Sequence, residues 1–203
     1  MRKILVLFAH PSPYRSEVNR PMARAAAGLE GVTLVDLYAE YPDLLIDVDR
    51  EQSRLREHDV VVFQHPLYWY STPAILKEWQ DLVLEYGFAY GAEGTALHGK
   101  TLLSALSAGG LEDAYCTDGY NHFTINELLQ PLEQTARLCG MTWLPPFALF
   151  GSRVAIEEGR LDEHIAKWRQ LLEALRDERL DYEGASRAGN LADRPERFIR
   201  GAE

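Results

Sequence analysis

The chain has 203 residues, 46% of them hydrophobic, enough for one α/β domain with a sizeable core and too many for a disordered chain. Asp and Glu outnumber Lys and Arg by 31 to 21, and the net charge of -10 argues against nucleic acid and against a general attraction to anionic lipid. Cys116 and Cys139 alone imply no disulfide framework, and the N-terminal apolar run Ile4 to Ala9 is too short for a signal segment or a membrane span. The expected setting is the reducing cytoplasm, with any contact to the inner face of a membrane made through a partner.

In chain order, Lys3 to Ala9 is apolar without a break from Ile4, which predicts a strand buried on both faces. His10-Pro11-Ser12-Pro13 ends it, and Met22, Ala26 and Leu29 follow at helical spacing. Val32 to Leu37 reads as the second strand, Tyr38 to Val48 as a connection, and Asp49 as the N-cap of a short charged helix reaching His58. Asp59 to Gln64 is the third strand, stopped by His65-Pro66. Thr72-Pro73 reads as an N-cap followed by proline at the first helical position, with Ile75, Trp79 and Leu82 continuing that helix. Gly87 to Gly99 is a loop, Lys100 to Leu106 the fourth strand, and Ser107 to Phe123 another loop.

Thr124 to Cys139 is helical, with Pro131 as a kink or break. Thr142 to Phe150 is a fifth strand interrupted by Pro145-Pro146. Ile165, Trp168, Leu172 and Leu175 share one face of the last helix. From Leu180 the chain turns polar, so residues 1–180 are expected to form the domain and 181–203 a poorly packed tail. Strand and helix alternating five times predict a doubly wound parallel sheet, for which the common strand order is 2-1-3-4-5. Ligands of such folds lie beyond the carboxyl ends of the first, third and fourth strands.

Three unusual loops fall there. In the first, the helix that follows offers free N–H groups and a dipole to a phosphate, with His10, Ser16 and Asn19 adding donors, unless Ser16 or Asn19 merely caps the helix. It carries neither a P-loop nor a GxGxxG fingerprint. The second, His65 to Pro73, holds Tyr68-Trp69-Tyr70, which suits either a planar ring or a subunit interface. The third, Ser107-Ala108-Gly109-Gly110, permits close backbone approach or forms an ordinary turn. Converging on one crevice, the three describe a mononucleotide-shaped site. The six histidines lack ligand spacing, so no metal is expected.

AHPSPYRSEVN (9–19), FQHPLYWYSTPAILKEW (63–79), GTALHGK (94–100), SAGG (107–110) and LPPFAL (144–149) agree in order and spacing with a known family. Over residues 1–175 the chain resembles the flavodoxin-like NAD(P)H:quinone oxidoreductases, and among them the ancillary subunits of glutathione-regulated potassium-efflux systems. The resemblance implies a flavodoxin-like three-layer sandwich and a flavoprotein that uses FMN, with FAD as runner-up and NAD(P)H as co-substrate. It implies two-electron, ping-pong hydride transfer to a quinone-like acceptor, or a regulatory role on a potassium-efflux transporter with secondary redox activity. It also implies a homodimer with the site at a two-fold interface, where the Gly87 to Gly99 loop and the helix before it would lie.

Carried over by position, His10, Ser16, Glu17, Val18 and Asn19 match the family's phosphate loop. Leu67, Tyr68, Trp69 and Tyr70 match the loop beside the flavin ring. Ser107, Ala108, Gly109 and Gly110 match a Thr-Thr-Gly-Gly loop in which both threonines are replaced here. Tyr115 matches a tyrosine that works with a histidine in hydride transfer. Counting back from Pro131 selects His122 for that histidine and counting forward from Tyr115 selects Asn121; His122 is preferred.

Overall fold

Five apolar residues in a row, Ile4–Phe8, form β1, and all are buried. The computed structural model describes residues 1–201. After β1 come α1 (Asn19–Ala27), β2 (Val32–Asp36), α2 (Leu37–Glu40), α3 (Val48–Glu57), β3 (Val60–Pro66), α4 (Ala74–Val83) and β4 (Thr101–Ser107). Then follow α5 (Ile125–Leu128), α6 (Gln130–Leu138), β5 (Thr142–Trp143), β6 (Phe147–Leu149), α7 (Arg160–Arg176) and α8 (Tyr182–Ala185).

The strands pair in parallel in the order β2-β1-β3-β4-β5, and β6 continues along β4 beyond β5. β5 and β6 are the expected fifth strand, broken at Pro145-Pro146, where the register against β4 slips by one residue. Side chains alternate across the sheet. Leu5, Leu7, Val61, Phe63 and Leu102 face one core with Ile75, Trp79 and Leu132 from α4 and α6. Ile4, Val6, Val60, Val62 and Leu103 face another with Met22 from α1 and Trp168 and Leu172 from α7. Each large side chain so buried contributes about 1.5–3 kcal/mol. Helices on both faces make the three-layer sandwich, with every strand's carboxyl end on the same edge.

Several boundaries differ from the sequence reading. The cap of α3 is Asp47, whose Oδ1 accepts the Arg50 N–H at 3.1 Å, rather than Asp49. α4 has Pro73 at its N-cap and no side-chain cap from Thr72. β3 runs through His65 and Pro66, since both stay paired to β4. Leu82 is exposed, and Val83 takes the core position. Pro131 marks a break, at the start of α6.

The largest correction concerns the tail. Leu180, Ala185, Leu191 and Ile199 are buried in the same core as α1 and α7, so the segment after Leu180 is packed, not loose; Ala202 and Glu203, also assigned to the tail, lie outside the described residues. Tyr182 OH accepts a hydrogen bond from Arg2 at 2.6 Å. Asn190 acts as a substitute strand partner for β6: its Oδ1 accepts the Ala148 N–H at 2.9 Å and its Nδ2 donates to Ala148 O at 3.1 Å. Leu191 N–H donates to Pro146 O at 2.8 Å. The open side of the sheet is thereby covered, which removes a row of unpaired edge groups.

Candidate functional site

The turn after β1 leaves donors unused. α1 starts without a side-chain cap at Val18 and with no acid in its first turn. Ser16 does cap this end, since its Oγ accepts the Arg20 N–H at 3.1 Å. Pro21 has no N–H to offer. Among the described residues, the N–H groups of Glu17, Val18 and Asn19 meet no protein acceptor, and they sit at the positive end of a nine-residue helix. Asn19 is buried and donates from Nδ2 to Ser107 Oγ at 2.7 Å, tying this turn to the end of β4. Gln64 donates from Nε2 to Asn19 O at 2.6 Å. Two amide oxygens beneath the turn, Asn19 Oδ1 and Gln64 Oε1, are buried without a partner. Burial lowers the His10 pKa, against opposing effects of the Ser12 backbone and Asp36, so the ring is held neutral. Its Nδ1 accepts the Ser12 N–H at 3.1 Å, which leaves the proton on Nε2 as a further donor.

The loop after β3 reverses tightly. Tyr68 and Ser71 exchange backbone hydrogen bonds of 3.1 and 3.0 Å, and the two residues between them, Trp69 and Tyr70, have φ of 50° and 62°. Asn-Gly usually fills such a turn; a bulky residue in the left-handed region costs about 1–2 kcal/mol. Trp69 is 93% exposed, so no burial of its own side chain offsets that strain. Tyr68 stands edge-on to His10, with ring centres 6.0 Å apart, linking the second loop to the first.

The third loop is held from behind. Ala108 N–H donates to Leu149 O at 2.9 Å and Gly151 N–H to Gly110 O at 2.7 Å. A side chain on Gly109 would meet nothing within 4 Å, so this glycine keeps a cavity wall low rather than enabling an unusual backbone angle. A β-carbon on Gly110 would approach the Tyr115 ring to 3.2 Å. Tyr115 packs on Phe150, with ring centres 5.2 Å apart. Burial pushes its phenol pKa up and the nearby Tyr70 adds to this, while the Gly110 backbone and the Asn121 amide oppose it.

These loops close on one crevice. A cavity of about 390 Å³ is lined by His10, Ser16, Glu17, Val18 and Asn19 from the first loop, Leu67 and Tyr68 from the second, and Ser107 and Gly109 from the third. A second cavity of about 280 Å³ shares Leu67 and Tyr68 and adds Trp69, Tyr70 and Tyr115. Ala108 is buried behind the wall, and Gly110 backs Tyr115. His122 lines neither cavity; its backbone is left-handed, with φ of 60°, and it is exposed. Asn121 accepts a hydrogen bond from Tyr70 OH at 3.2 Å instead.

Sequence reasoning missed Arg15, Ser152 and Arg153, which line the first cavity. Neither arginine pairs with a carboxylate among the described residues. The signal was available for Arg153, which lies just past the carboxyl end of the fifth strand, on the edge where ligands of such sheets bind. Three free N–H groups, His10, Arg15 and Arg153, with Glu17 among them, gather at one cavity beside another with aromatic walls, an arrangement able to take an anion. No cluster of three or more His, Cys, Asp or Glu able to hold a metal occurs among the described residues, and no described helix is long and apolar enough to cross a membrane.

Residues 2–172 match the model of a family with a flavodoxin-like fold. The chain is 52% identical over 151 residues to the glutathione-regulated potassium-efflux system ancillary protein KefG of Serratia proteamaculans, covering 74% of this chain and 82% of that protein. The crystal structure of general stress protein 14 from Treponema denticola in complex with FMN superposes with a TM-score of 0.80 at 37% identity, over 85% of this chain and 99% of that one. An NADPH-quinone reductase from P. pentosaceus superposes with a TM-score of 0.74 at 30% identity, over 83% and 96% of the two chains. On sequence and topology together, the chain belongs to the flavodoxin-like fold family.

Proposed function

We propose that the chain is an FMN-dependent NAD(P)H:quinone oxidoreductase that works by alternating occupation of a single site. The observation that carries this reading is the meeting of an anion site, with three unused helix N–H groups, and an aromatic-walled cavity in one crevice. The FMN complex of general stress protein 14 and the quinone reductase neighbour support it.

The residues present fit the cofactor. Glu17, Val18 and Asn19 offer backbone N–H groups to the phosphate, Ser16 lines the same turn, and Arg15 and Arg153 balance the phosphate charge. The orphaned oxygens of Asn19 and Gln64 suit hydroxyl donors on the chain between phosphate and ring. Leu67, Tyr68, Trp69 and Tyr70 would wall the ring, and the loop of Ser107, Ala108, Gly109 and Gly110 would help hold it. When bound, FMN would supply a two-electron carrier between NAD(P)H and the acceptor. Over the cycle NAD(P)H, a proton and a quinone become NAD(P)+ and hydroquinone. On this reading the Tyr115 hydroxyl, protonated at neutral pH, gives the acceptor oxygen its proton and recovers one from water.

A homodimer fits the exposed apolar side chains of Trp69, Tyr86 and Tyr120, which the single chain leaves uncovered. A second reading, a regulatory subunit on a potassium-efflux transporter at the inner face of the membrane, is favoured by the KefG relative. Steady-state kinetics of the purified protein test the first reading: parallel double-reciprocal lines for NAD(P)H and quinone support it, and absent turnover in flavin-loaded protein overturns it. A change in potassium efflux on adding the protein to a reconstituted transporter supports the second.

A further inference from the structure

The loop between Tyr115 and α5 folds back on itself. Gly119 sits so close to the preceding turn that a β-carbon there would lie 2.4 Å from Asp113 O. Asn121 N–H donates to Ala114 O at 2.9 Å and His122 N–H to Gly119 O at 3.0 Å. Thr124 and Glu127 then form a reciprocal cap that starts α5 and ends the loop. This folding leaves Asn121 half-buried within reach of Tyr70, a residue of the aromatic cavity wall, while His122, with a left-handed backbone, is exposed.

Asn121 there reaches two walls at once. Its Oδ1 accepts the hydrogen bond from Tyr70 OH at 3.2 Å. Its amide also bears on the Tyr115 phenol, favouring the phenolate. The other groups acting on that phenol are Tyr70 from the strained hairpin and the Gly110 backbone from the diglycine loop, and no charged side chain is among them. Tyr70 and Tyr115 line the same cavity from different loops, and Asn121, whose N–H is held by Ala114 next to Tyr115 in the chain, bonds Tyr70 across the gap between those loops.

We propose that Asn121 is the positioning residue of this site: it clasps the aromatic hairpin to the Tyr115 loop and thereby fixes the Tyr115 hydroxyl toward the acceptor. This rests on the oxidoreductase reading for its consequence in turnover, but the clasp itself does not need flavin. Asn121 touches no reacting atom; it acts through Tyr115. An amide suits the task because it accepts from the Tyr70 phenol and keeps a donor for the Tyr115 side without changing charge across neutral pH.

The test uses Asn121→Leu, which keeps the volume and removes the amide that meets Tyr70, Asn121→Asp, which keeps the acceptor for Tyr70 and adds charge, and His122→Ala as the rival. Tyrosine-ring carbon NMR of the flavin-depleted protein reads the Tyr115 titration, assigned with Tyr115→Phe. The clasp predicts that the Tyr115 titration shifts to higher pH in both Asn121 variants and stays put in His122→Ala. In flavin-loaded protein, Asn121→Leu is expected to lower kcat for quinone about ten- to a hundredfold while KM for NAD(P)H changes less than about twofold. Asn121→Asp is expected to recover part of kcat and to move the alkaline limb of the pH profile upward. A Tyr115 titration indifferent to Asn121, or a larger kcat loss in His122→Ala than in Asn121→Leu, overturns the clasp. An Asn121-dependent titration in a protein that never turns over quinone keeps the clasp and overturns the oxidoreductase reading.

Discussion

Two buried asparagines show how the ends of this molecule differ. Asn190, in the segment after α8, bonds Ala148 with both Oδ1 and Nδ2, and Oδ1 also accepts the Ala192 N–H. Asn19, at the turn after β1, uses Nδ2 on Ser107 and leaves Oδ1 without a partner, beside three unused N–H groups. One region exhausts its polar capacity and closes a sheet edge; the other keeps capacity in reserve. Buried polar groups left open cost stability, so reserve that persists in a folded protein points to a ligand.

The contrast breaks most visibly at the sealed end. Asn190→Ala strands the Ala148 N–H and carbonyl, and is expected to destabilise the fold by about 2–4 kcal/mol in chemical denaturation while flavin affinity holds. A loss below about 0.5 kcal/mol would show that the segment covers β6 without supporting it.

His65 sharpens it through pH. Sealed between Ser104 Oγ at 2.7 Å and Pro66 O at 2.9 Å, it is lowered to about 4 by burial, which outweighs the Pro66 contact. The unfolded chain therefore binds more protons between pH 6.5 and about 4, so stability is full above 6.5 and falls as pH drops toward 4. The expected loss is roughly 3 kcal/mol at most, and His65→Gln is expected to flatten the slope, leaving the part owed to the buried His164.

At the open end, Ser16→Asp keeps an acceptor for the Arg20 N–H but sets a negative charge beside the anion site. FMN affinity is expected to fall by about ten- to a hundredfold with the melting temperature little changed. The smallest effect belongs to Trp69→Asn, which relaxes the left-handed turn without exposing core. Stability is expected to rise by about 0.5 kcal/mol as ligand binding weakens, a trade that a purely structural turn would not show.

Strand order and the three loops were legible because periodicity and punctuation act locally: apolar runs name the strands, and prolines and glycines name the turns. The tail was misread for the same reason. Leu180, Ala185, Leu191 and Ile199 are too sparse to form a periodic pattern, and their burial comes from contacts with distant helices. Asn121 and His122 are adjacent in the chain, and only Asn121 bonds a residue of the cavity wall, Tyr70; spacing carries no information on that. Arg15 lies in the loop after β1, and its place in the cavity wall emerges only when the fold brings Arg153, just past β6, to the same cavity.

Titrating flavin-depleted protein with FMN and with riboflavin, which differ only in the phosphate, probes the reserve at α1 most directly. FMN is expected to saturate one site per chain and riboflavin to bind at least about a hundredfold more weakly. Equal affinity for the two, or no uptake of either, would contradict the account.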